Sequence, residues 1–312
     1  MSRISVLIAV YNVEAYVAEA LASIQQQTIT DIGIVVIDDC STDGTLRIVE
    51  QIASYDPRIV VVRSAKNQGL SQALNYGLGF CRAPYIARMD GDDIAMPDRL
   101  EMQLCFLENN PDIALVGCAT TAIDELGRPI PGLGVSAKPI TQEAISRTLL
   151  LAPPCSHIWL ARREVYDKLY GYRDISVAED YDFLLRAITA GYRITNLPEP
   201  LMLIRTRTGN ISSRLEQRKA HYYITNLYRE RMRNGQDSFS KEGYERAVRS
   251  GKVENGVFQL AIRCVRKGLR THSRVLRYCL LALSALVSPW QARYFLLRLR
   301  LKMALRTPGF QS

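Results

Sequence analysis

The chain has 312 residues, of which 47% are hydrophobic and 23% charged. This composition excludes a disordered polypeptide, and the length allows one large α/β domain with an appendage or two domains. The formal net charge is +9, and Val257–Ser312 holds 11 of the 40 basic side chains and no acidic one. The rest of the chain contains the other 29 basic residues and all 31 acidic ones, so it is nearly neutral. The basicity therefore belongs to the C-terminal tail. No recognised nucleic-acid motif accompanies it, so we expect no nucleic-acid partner.

The cysteines and the N-terminus bear on the compartment. Seven cysteines are scattered along the chain without CxxC pairs or zinc-ligand spacing, which suits buried thiols in a reducing cytosol. The apolar run near the N-terminus is too short for a signal peptide and leads directly into a motif. We therefore expect a cytoplasmic protein.

Apolar runs of strand length alternate with helix-spaced apolar patterns over the first part of the chain. The predicted strands are Ile4–Val10, Ile32–Ile37, Ile59–Arg63, Tyr85–Met89 and Ile113–Gly117. The predicted helices are Val13–Gln26, Gly44–Ile52, Gly69–Phe80 and Arg99–Leu107. Such an alternation with fully apolar strands is typical of a parallel sheet covered by helices on both faces.

The alternation breaks after Ala119, and no internal repeat follows. A stretch rich in Gly and Pro, Leu126–Pro139, predicts a loop over one face. Further on, the patterns predict two helices, Arg163–Leu169 and Ala178–Ala190. Two strands are predicted after them, Arg193–Leu197 and Leu201–Thr206. From Leu215 onward the chain is predicted to be helical with polar linkers.

The apolar strand that begins at Tyr85 ends in three carboxylates within four positions, Asp90, Asp92 and Asp93. Adjacent carboxylates repel one another, and hard divalent cations such as Mg²⁺ and Mn²⁺ select oxygen ligands. The carboxyl end of a parallel strand is also where open α/β sheets bind ligands. The cluster predicts a cation site, although Asp and Gly are also ordinary turn residues after a strand.

Other predicted strand ends point to the same edge of the sheet. Tyr11 follows the first strand and is able to stack on a base, and Asp39, after the second, is able to accept a base N–H. The third strand ends at Arg63, with Lys66 and Asn67 beyond, and cations there suit a pyrophosphate, although a solvated loop explains Lys66 equally well. Neither GxGxxG nor GxxxxGK[ST] occurs, which disfavours dinucleotide cofactors and P-loop phosphoryl transfer.

Five motifs together resemble a known family: AVYN, IDDCSTDGT, NQGLSQALNYGL, MDGDD and AEDYDFLLR, in this order between Ile4 and Ser212. The set resembles the family-2 inverting glycosyltransferases with the GT-A fold, most closely the short bacterial exopolysaccharide and O-antigen enzymes. The resemblance implies an α/β fold with a Rossmann-like, mostly parallel sheet covered by helices. It also implies a catalytic domain over residues 1–214, with a nucleotide-binding half (1–119) and an acceptor and catalytic-base half (120–214). A helical extension follows over residues 215–312.

The resemblance also implies a nucleotide and metal site. Tyr11 would pack on the base, Asp39 would hold it, and the backbone of Ala9 would contact the nucleotide. Arg63 and Asn67, by their position after the third strand, are further candidates for nucleotide contacts. The D-x-D signature maps to Asp90 and Asp92. Asp92 is the expected ligand of Mn²⁺ or Mg²⁺, Asp90 lies towards the ribose or the waters of the metal, and Asp93 stands behind them.

The family's general base belongs to the pair Glu179-Asp180. An acceptor hydroxyl must lose its proton as it attacks the anomeric carbon, and one positioned carboxylate suffices because the metal stabilises the leaving group. We expect Asp180 to be the base, with Glu179 orienting it or touching the acceptor. The alternative is that both residues only place negative charge at a helix N-terminus.

Two further residues are candidates for the acceptor or the diphosphate. His157 lies in a segment that resembles the family's donor-facing and acceptor-facing stretch, but a satisfied core histidine is the alternative. Arg207 stands where relatives commonly have His, so we expect it to contact phosphate directly rather than a metal.

The tail mixes apolar and exclusively basic residues around Val275–Val287, a segment too short to span a bilayer. This composition is typical of a helix that lies on an anionic membrane. The alternative is a helical subdomain packed on the catalytic domain or on a second copy.

The expected activity is transfer of a sugar, with inversion, from a nucleotide-diphosphate donor to a hydroxyl of a lipid-linked saccharide in surface or exopolysaccharide synthesis. A UDP-sugar is the expected donor, and the enzyme would lie at the inner face of the cell membrane. One alternative is a sugar nucleotidyltransferase, although Ala9–Glu14 offers no Gly-rich basic loop. The other is a catalytically inactive nucleotide-binding scaffold.

Overall fold

The computed structural model describes residues 2–207, 215–271 and 273–304. Two compact units divide the chain. The first comprises Met1–Ser146 and Pro153–Thr208, and the second comprises Arg147–Ala152 and Gly209–Ser312. The division of the first unit into halves at residue 119 stays a prediction.

The first unit is built on one mixed sheet. Its strands are β1 (Ile4–Val10), β2 (Ile32–Asp38), β3 (Ile59–Arg63), β4 (Tyr85–Asp90), β5 (Ile94–Ala95), β6 (Ile113–Ile123), β7 (Leu160–Arg162) and β8 (Arg193–Arg205). They lie in the order β3-β2-β1-β4-β7-β6-β8-β5. Strands β3, β2, β1 and β4 run parallel, as do β6 and β8, whereas β7 is antiparallel to both of its neighbours and β5 to β8. The predicted, mostly parallel sheet is confirmed.

Helices cover both faces of this sheet. They are α1 (Val17–Gln25), α2 (Thr45–Ala53), α3 (Leu70–Leu78), α4 (Arg99–Asn109), α5 (Gln142–Thr148), α6 (Arg163–Leu169) and α7 (Glu179–Thr189). Side chains of β1 alternate between two cores because successive residues of a strand point to opposite faces. Ile8 belongs to the core under α1 and α4, and Leu7 to the core under α3 and α7. This double burial explains why β1 is apolar at every position except Ser5.

A glycine allows α3 to approach the sheet closely. A Cβ atom on Gly77 would lie 2.4 Å from Leu7 Cδ1 and 2.7 Å from Ile37 Cγ1. A side chain at this position would therefore require Leu7 and Ile37 or the helix itself to shift. The close packing sets the helix directly over β1 and β2, whose carboxyl ends carry the site.

The structure contains three elements that were not predicted, β5, β7 and α5, and it differs most from the predicted strand bounds in β6 and β8. Strand β7 was not predicted, because three residues are too few to show a period of their own, and both of its edges are paired by neighbouring strands. Strand β6 extends beyond the predicted Gly117 to Ile123. The two strands predicted between Arg193 and Thr206 form the single strand β8. Its prolines, Pro198 and Pro200, lie where the pairing with β6 is irregular, a position that tolerates a missing N–H donor.

The predicted loop over Leu126–Pro139 is confirmed, since no helix or strand occurs there. Two isolated bridges hold it against the sheet, Ile123 with Pro129 and Thr120 with Ser136. The loop therefore lies beside the carboxyl-terminal part of β6.

The second unit is helical. Its helices are α8 (Leu215–Asn234), α9 (Lys241–Val248), α10 (Lys252–Arg270), α11 (Arg274–Val287) and α12 (Pro289–Ala304). Glu254 on α10 links three of them, because one oxygen lies 2.7 Å from Lys219 Nζ on α8 and the other accepts the indole N–H of Trp290 on α12. Among the described helices, none combines the length and the apolar character needed to cross a bilayer. All seven cysteines are free.

Candidate active site

The parallel strands bring the predicted residues to one edge of the sheet. Ala9 on β1 pairs in register with Asp90 on β4, and Val10 pairs with Asp38, the residue before Asp39. Arg63 at the end of β3 lies beside Asp38 in turn. This arrangement follows from parallel pairing, which places the carboxyl ends of neighbouring strands side by side.

Two carboxylates and one imidazole converge at this edge. Ligand atoms of Asp90, Asp93 and His157 all lie within 4.8 Å of one another. His157 Nε2 is 3.3 Å from Asp93 Oδ2 and 3.4 Å from Asp90 Oδ2. The other oxygen of the buried Asp93 accepts the backbone N–H of Arg205 at 2.8 Å. This side-chain cluster is a candidate metal site.

The chemistry of the donor set fits a divalent cation. Burial raises the pKa of Asp93, an effect opposed by the imidazole of His157 and reinforced by the carboxylate of Asp90. Burial by itself lowers the pKa of His157, but the two carboxylates outweigh it and raise that pKa to about 9. The cluster therefore favours a positive charge between its members, which a bound cation supplies in place of the His157 proton.

His157 was predicted only as a contact for diphosphate or acceptor. It belongs to the candidate metal cluster, and 28% of its side-chain surface is exposed, so it is not an enclosed core histidine. No spacing in the sequence indicates this pairing, because His157 and Asp93 are 64 residues apart.

Asp92, the predicted metal ligand, lies beside this cluster and pairs with Arg207. Arg207 Nε is 2.9 Å from Asp92 Oδ2. Burial raises the pKa of Asp92 to about 6, and the carboxylates of Asp93 and Asp90 add to the rise. Arg207 supplies a positive charge next to Asp92. The ligand role of Asp92 and the phosphate contact of Arg207 stay predictions.

Arg205 holds the acidic loop in place, a role that was not predicted. Besides its backbone bond to Asp93, its Nε donates to the carbonyl of Asp92 at 2.8 Å. Its guanidinium also lies over the ring of Tyr16, 4.8 Å from the centroid, and contacts the carbonyl oxygens of Asp124 and Glu125. Arg205 therefore fixes the carboxylates that follow β4.

Asp39 ties two loops of the nucleotide edge together. Its carboxylate accepts the backbone N–H of Gln68 at 3.0 Å and that of Gly69 at 2.8 Å. These bonds hold the loop after β3 against the end of β2. Each carboxylate oxygen has lone pairs to spare, so the predicted contact with a base is compatible with this structural role and stays a prediction.

The remaining nucleotide candidates surround this edge. Tyr11 is 45% exposed and available for stacking. Arg63 and Asn67 are exposed, and Ala9 is half-buried. No described interaction of these residues conflicts with the predicted nucleotide contacts, which stay predictions.

The two residues of the predicted general-base motif lie at the start of α7. Ala178 before it adopts a left-handed conformation with φ of 63°, so the chain turns sharply and Glu179 and Asp180 occupy the first helical turn. Glu179 is buried and its Oε1 lies 2.7 Å from Nη2 of Arg88, whereas Asp180 is half-buried. The two carboxylates therefore differ in environment: Glu179 is enclosed in an ion pair and Asp180 faces open space.

Arg88 is a site residue that the sequence analysis missed. Only 1% of its side chain is exposed, and its guanidinium lies 5.6 Å from the ring centroids of both Trp159 and Tyr172. Burial raises the pKa of Glu179 and the positive charge of Arg88 opposes this rise. Removing one partner of a buried ion pair typically destabilises a protein by about 3–5 kcal/mol. Its position inside a buried strand gave no local signal of this pairing.

A cavity of about 540 Å³ extends between the candidate metal cluster and the candidate base. Its walls include residues of the loop after β6, of the segment before β7, of α7 and of β8, namely Leu133, Lys138, Ser156, His157, Asp180 and Ile204. The candidate base and a member of the candidate metal cluster therefore face the same space. The mixture of small, apolar and hydroxyl-bearing walls suits an organic molecule that carries hydroxyl groups.

Comparison with known proteins agrees with this geometry. The sequence profile described as Glycosyl transferase family 2 matches residues 5–170, more than half of the chain. EpsE of Bacillus subtilis is 35% identical over 214 residues, 65% of this chain and 73% of that protein. The amylovoran biosynthesis glycosyltransferase AmsE of Erwinia amylovora is 32% identical over 215 residues, 67% of this chain and 79% of that protein.

Solved structures show the same fold. TarS 1–349 of S. aureus, in complex with UDP-GlcNAc, has a TM-score of 0.63 at 22% identity, with 97% of this chain and 87% of that chain covered. The mannosyltransferase PcManGT of Pyrobaculum calidifontis, in complex with GDP-Man and Mn²⁺, has a TM-score of 0.60 at 18% identity, with 97% and 85% covered. The chain belongs to glycosyl transferase family 2 and has the GT-A fold of these enzymes.

Proposed function

We propose that this enzyme transfers a sugar, with inversion, from a nucleotide-diphosphate donor to a hydroxyl group of a saccharide acceptor. The observation that carries the proposal is the cavity that Asp180 shares with His157. It offers a place where an acceptor hydroxyl meets both a candidate base and the metal-bound end of a donor.

The metal cluster serves the leaving group in this proposal. Asp90, Asp93 and His157 would hold Mn²⁺ or Mg²⁺, with Asp92 as the further ligand that the D-x-D motif implies. The ion supplies positive charge to the departing diphosphate. An imidazole among the ligands favours Mn²⁺, since Mg²⁺ is bound almost entirely by oxygen.

Asp180 acts as the base in this proposal. It lines the cavity and is half-buried, so it is able to accept the proton of an acceptor hydroxyl. Attack from the face opposite the leaving group inverts the anomeric carbon. Because the diphosphate leaves as an anion, no second carboxylate is needed to protonate it, in contrast to glycoside hydrolases.

The donor occupies the carboxyl edge of β1 to β4 in this proposal. Tyr11 stacks on the base, Asp39 and the backbone of Ala9 orient the nucleoside, and Arg63 and Asn67 approach the phosphates. We propose a UDP-sugar as the donor, a choice that TarS supports through its UDP-GlcNAc and UDP complexes. PcManGT was solved with GDP-Man, so a GDP-sugar is the competing donor.

The acceptor is proposed to be a lipid-linked saccharide in exopolysaccharide synthesis at the inner face of the cell membrane. AmsE is named an amylovoran biosynthesis glycosyltransferase, which supports a role in exopolysaccharide synthesis. The second unit supports the membrane contact. Exposed apolar side chains of α11 fall within one stripe, Val275, Leu276, Tyr278, Leu283 and Leu286, and exposed Arg298 and Arg300 follow on α12. Apolar and exclusively basic surface is what an anionic interface binds.

The first test is calorimetric titration of UDP, GDP, dTDP and CDP, each with and without Mn²⁺. We expect metal-dependent binding of UDP above the others. The matching UDP-sugars are then assayed for transfer with the wild-type enzyme and with Asp180→Asn. Binding of another nucleotide would replace the proposed donor class, and failure of all four to bind would contradict a nucleotide site at this edge. Nucleotide binding without any sugar transfer would favour the inactive nucleotide-binding scaffold.

A further inference from the structure

The guanidinium of Arg88 lies between Asp90 of the candidate metal cluster and Glu179 of the candidate base motif. The same nitrogen, Nη2, is 2.7 Å from Glu179 Oε1 and 3.6 Å from Asp90 Oδ1. Asp90 belongs to the candidate metal cluster, and Glu179 directly precedes the candidate base. One buried positive charge therefore serves two carboxylates of different function.

Arg88 has few other polar partners. Its Nε and Nη1 atoms are buried without a hydrogen-bond partner among the described residues. The rings of Trp159 and Tyr172 enclose the guanidinium, and Arg99 Nη2 donates to the Arg88 carbonyl at 2.9 Å. A buried charge must be compensated by its neighbours. The position of the Arg88 guanidinium therefore depends on its attraction to Glu179 and Asp90.

Asp90 divides its two oxygens between Arg88 and the metal cluster. Oδ1 faces Arg88, and Oδ2 lies 3.4 Å from His157 Nε2. A divalent cation in the cluster competes with Arg88 for the charge of Asp90. A bound cation would repel Arg88 from Asp90 and strengthen its pairing with Glu179, which lies in the first turn of α7.

We infer that Arg88 is a positioning residue that couples cation occupancy at Asp90 to the placement of Glu179 and Asp180. This role rests on the proposed glycosyl transfer, because it orders the base when the metal needed by the donor is present. Coupling is reciprocal, so a change at Glu179 must alter metal affinity.

The test is a double-mutant cycle on Mn²⁺ affinity, measured by electron paramagnetic resonance with Mn²⁺ alone. Glu179→Gln removes the stronger partner of Arg88, directs its charge to Asp90 and is expected to weaken Mn²⁺ binding about tenfold. In the Arg88→Met background the same substitution is expected to have no further effect. A direct electrostatic effect of Glu179 on the metal would persist in that background and would overturn the inference.

Asp182→Asn is the matched control. Asp182 is buried on the same helix and pairs with Arg186, with Nε 2.8 Å from its Oδ2, but it lies outside the metal cluster. It is expected to lower thermal stability without changing Mn²⁺ affinity. An equal loss of affinity in Asp182→Asn and Glu179→Gln would show that loosening α7 suffices, which contradicts the specific role of Arg88.

If Arg88→Met does not fold, Arg88→Gln takes its place. A glutamine keeps a polar side chain but carries no charge that Glu179→Gln could redirect to Asp90, so most of the tenfold effect of Glu179→Gln should disappear. An undiminished effect would overturn the inference. The Mn²⁺ titration needs no sugar transfer, so an inactive wild-type protein would contradict the proposed function while the cycle still decides the coupling.

Discussion

Asp92 and Arg207 form an ion pair at the rim of the candidate metal cluster, with Arg207 Nε 2.9 Å from Asp92 Oδ2. The guanidinium also lies 5.9 Å from the ring centroid of Tyr16. A carboxylate that the D-x-D motif assigns to a metal thus has a cation from the chain itself beside it. A bound metal and diphosphate would release Arg207 from Asp92 and give it a phosphate as its new partner.

Arg207→Ala should therefore weaken UDP binding in the presence of Mn²⁺ by about tenfold, the loss expected for one charge-assisted hydrogen bond. Uridine lacks the phosphates, and its affinity should stay unchanged. Calorimetry with the two ligands makes the comparison. An equal loss for uridine would place Arg207 at the nucleoside and contradict the phosphate contact.

Asp180→Asn should lower kcat by about 10²–10⁴-fold, the range typical of a lost general base. The affinity for UDP and Mn²⁺ should change less than about twofold, because the residue acts on the acceptor proton in the chemical step. Steady-state kinetics and nucleotide titration separate these effects. A large loss of UDP affinity with little change in kcat would move Asp180 to the donor site.

His157→Ala should weaken Mn²⁺ binding at least about tenfold, the lower limit for losing a partner at a metal site. The reason is that the imidazole nitrogen lies within 3.4 Å of both carboxylates of the cluster. Paramagnetic resonance of free Mn²⁺ measures the affinity. Asp112→Ala, which removes an exposed carboxylate paired with Arg193, is the control and should have no effect. Unchanged affinity in His157→Ala would leave His157 as a contact for the diphosphate or the acceptor.

Asp92→Ala tests the D-x-D prediction itself. It should abolish metal-dependent donor binding if Asp92 joins the coordination sphere when Arg207 leaves. Titration of UDP with and without Mn²⁺ provides the measurement. If Mn²⁺ still strengthens UDP binding in this variant, Asp92 serves only as the partner of Arg207 and the ligands are Asp90, Asp93 and His157.

The membrane contact is best tested by point substitution, because Trp290 and Glu254 tie α12 to α10 and a truncation at Val257 would break this packing. Leu286 is 84% exposed on α11. Leu286→Glu should reduce binding to vesicles that contain anionic lipid by about tenfold or more, since it loses apolar burial and adds repulsion. Flotation with anionic and with neutral vesicles measures this effect.

Tyr55→Glu, at an equally exposed apolar position of the first unit, is the control for vesicle binding and should bind like the wild type. Equal binding of both variants and the wild-type protein to anionic vesicles would contradict a membrane contact through α11.

Local sequence patterns were sufficient for the framework of the first unit. Strands β1 to β4 and the helices between them are predicted because each element has an apolar pattern of its own. Their parallel order places Ala9, Asp39 and Asp90 at one edge without knowledge of the rest of the fold. Strand β7 lacked such a pattern, because its place depends on hydrogen bonds from β4 and β6 and not on its own three residues.

The sequence by itself determined the alternating α/β fold, the edge of the sheet that carries the site, and the acidic and base motifs, since each depends on neighbours along the chain. Only the tertiary structure decided which charges meet. Arg88 and Glu179 are 91 residues apart, and His157 and Asp93 are 64 apart. Their interactions depend on distance through space and on burial, which weakens solvent screening. Neither quantity is encoded in the spacing of residues along the chain.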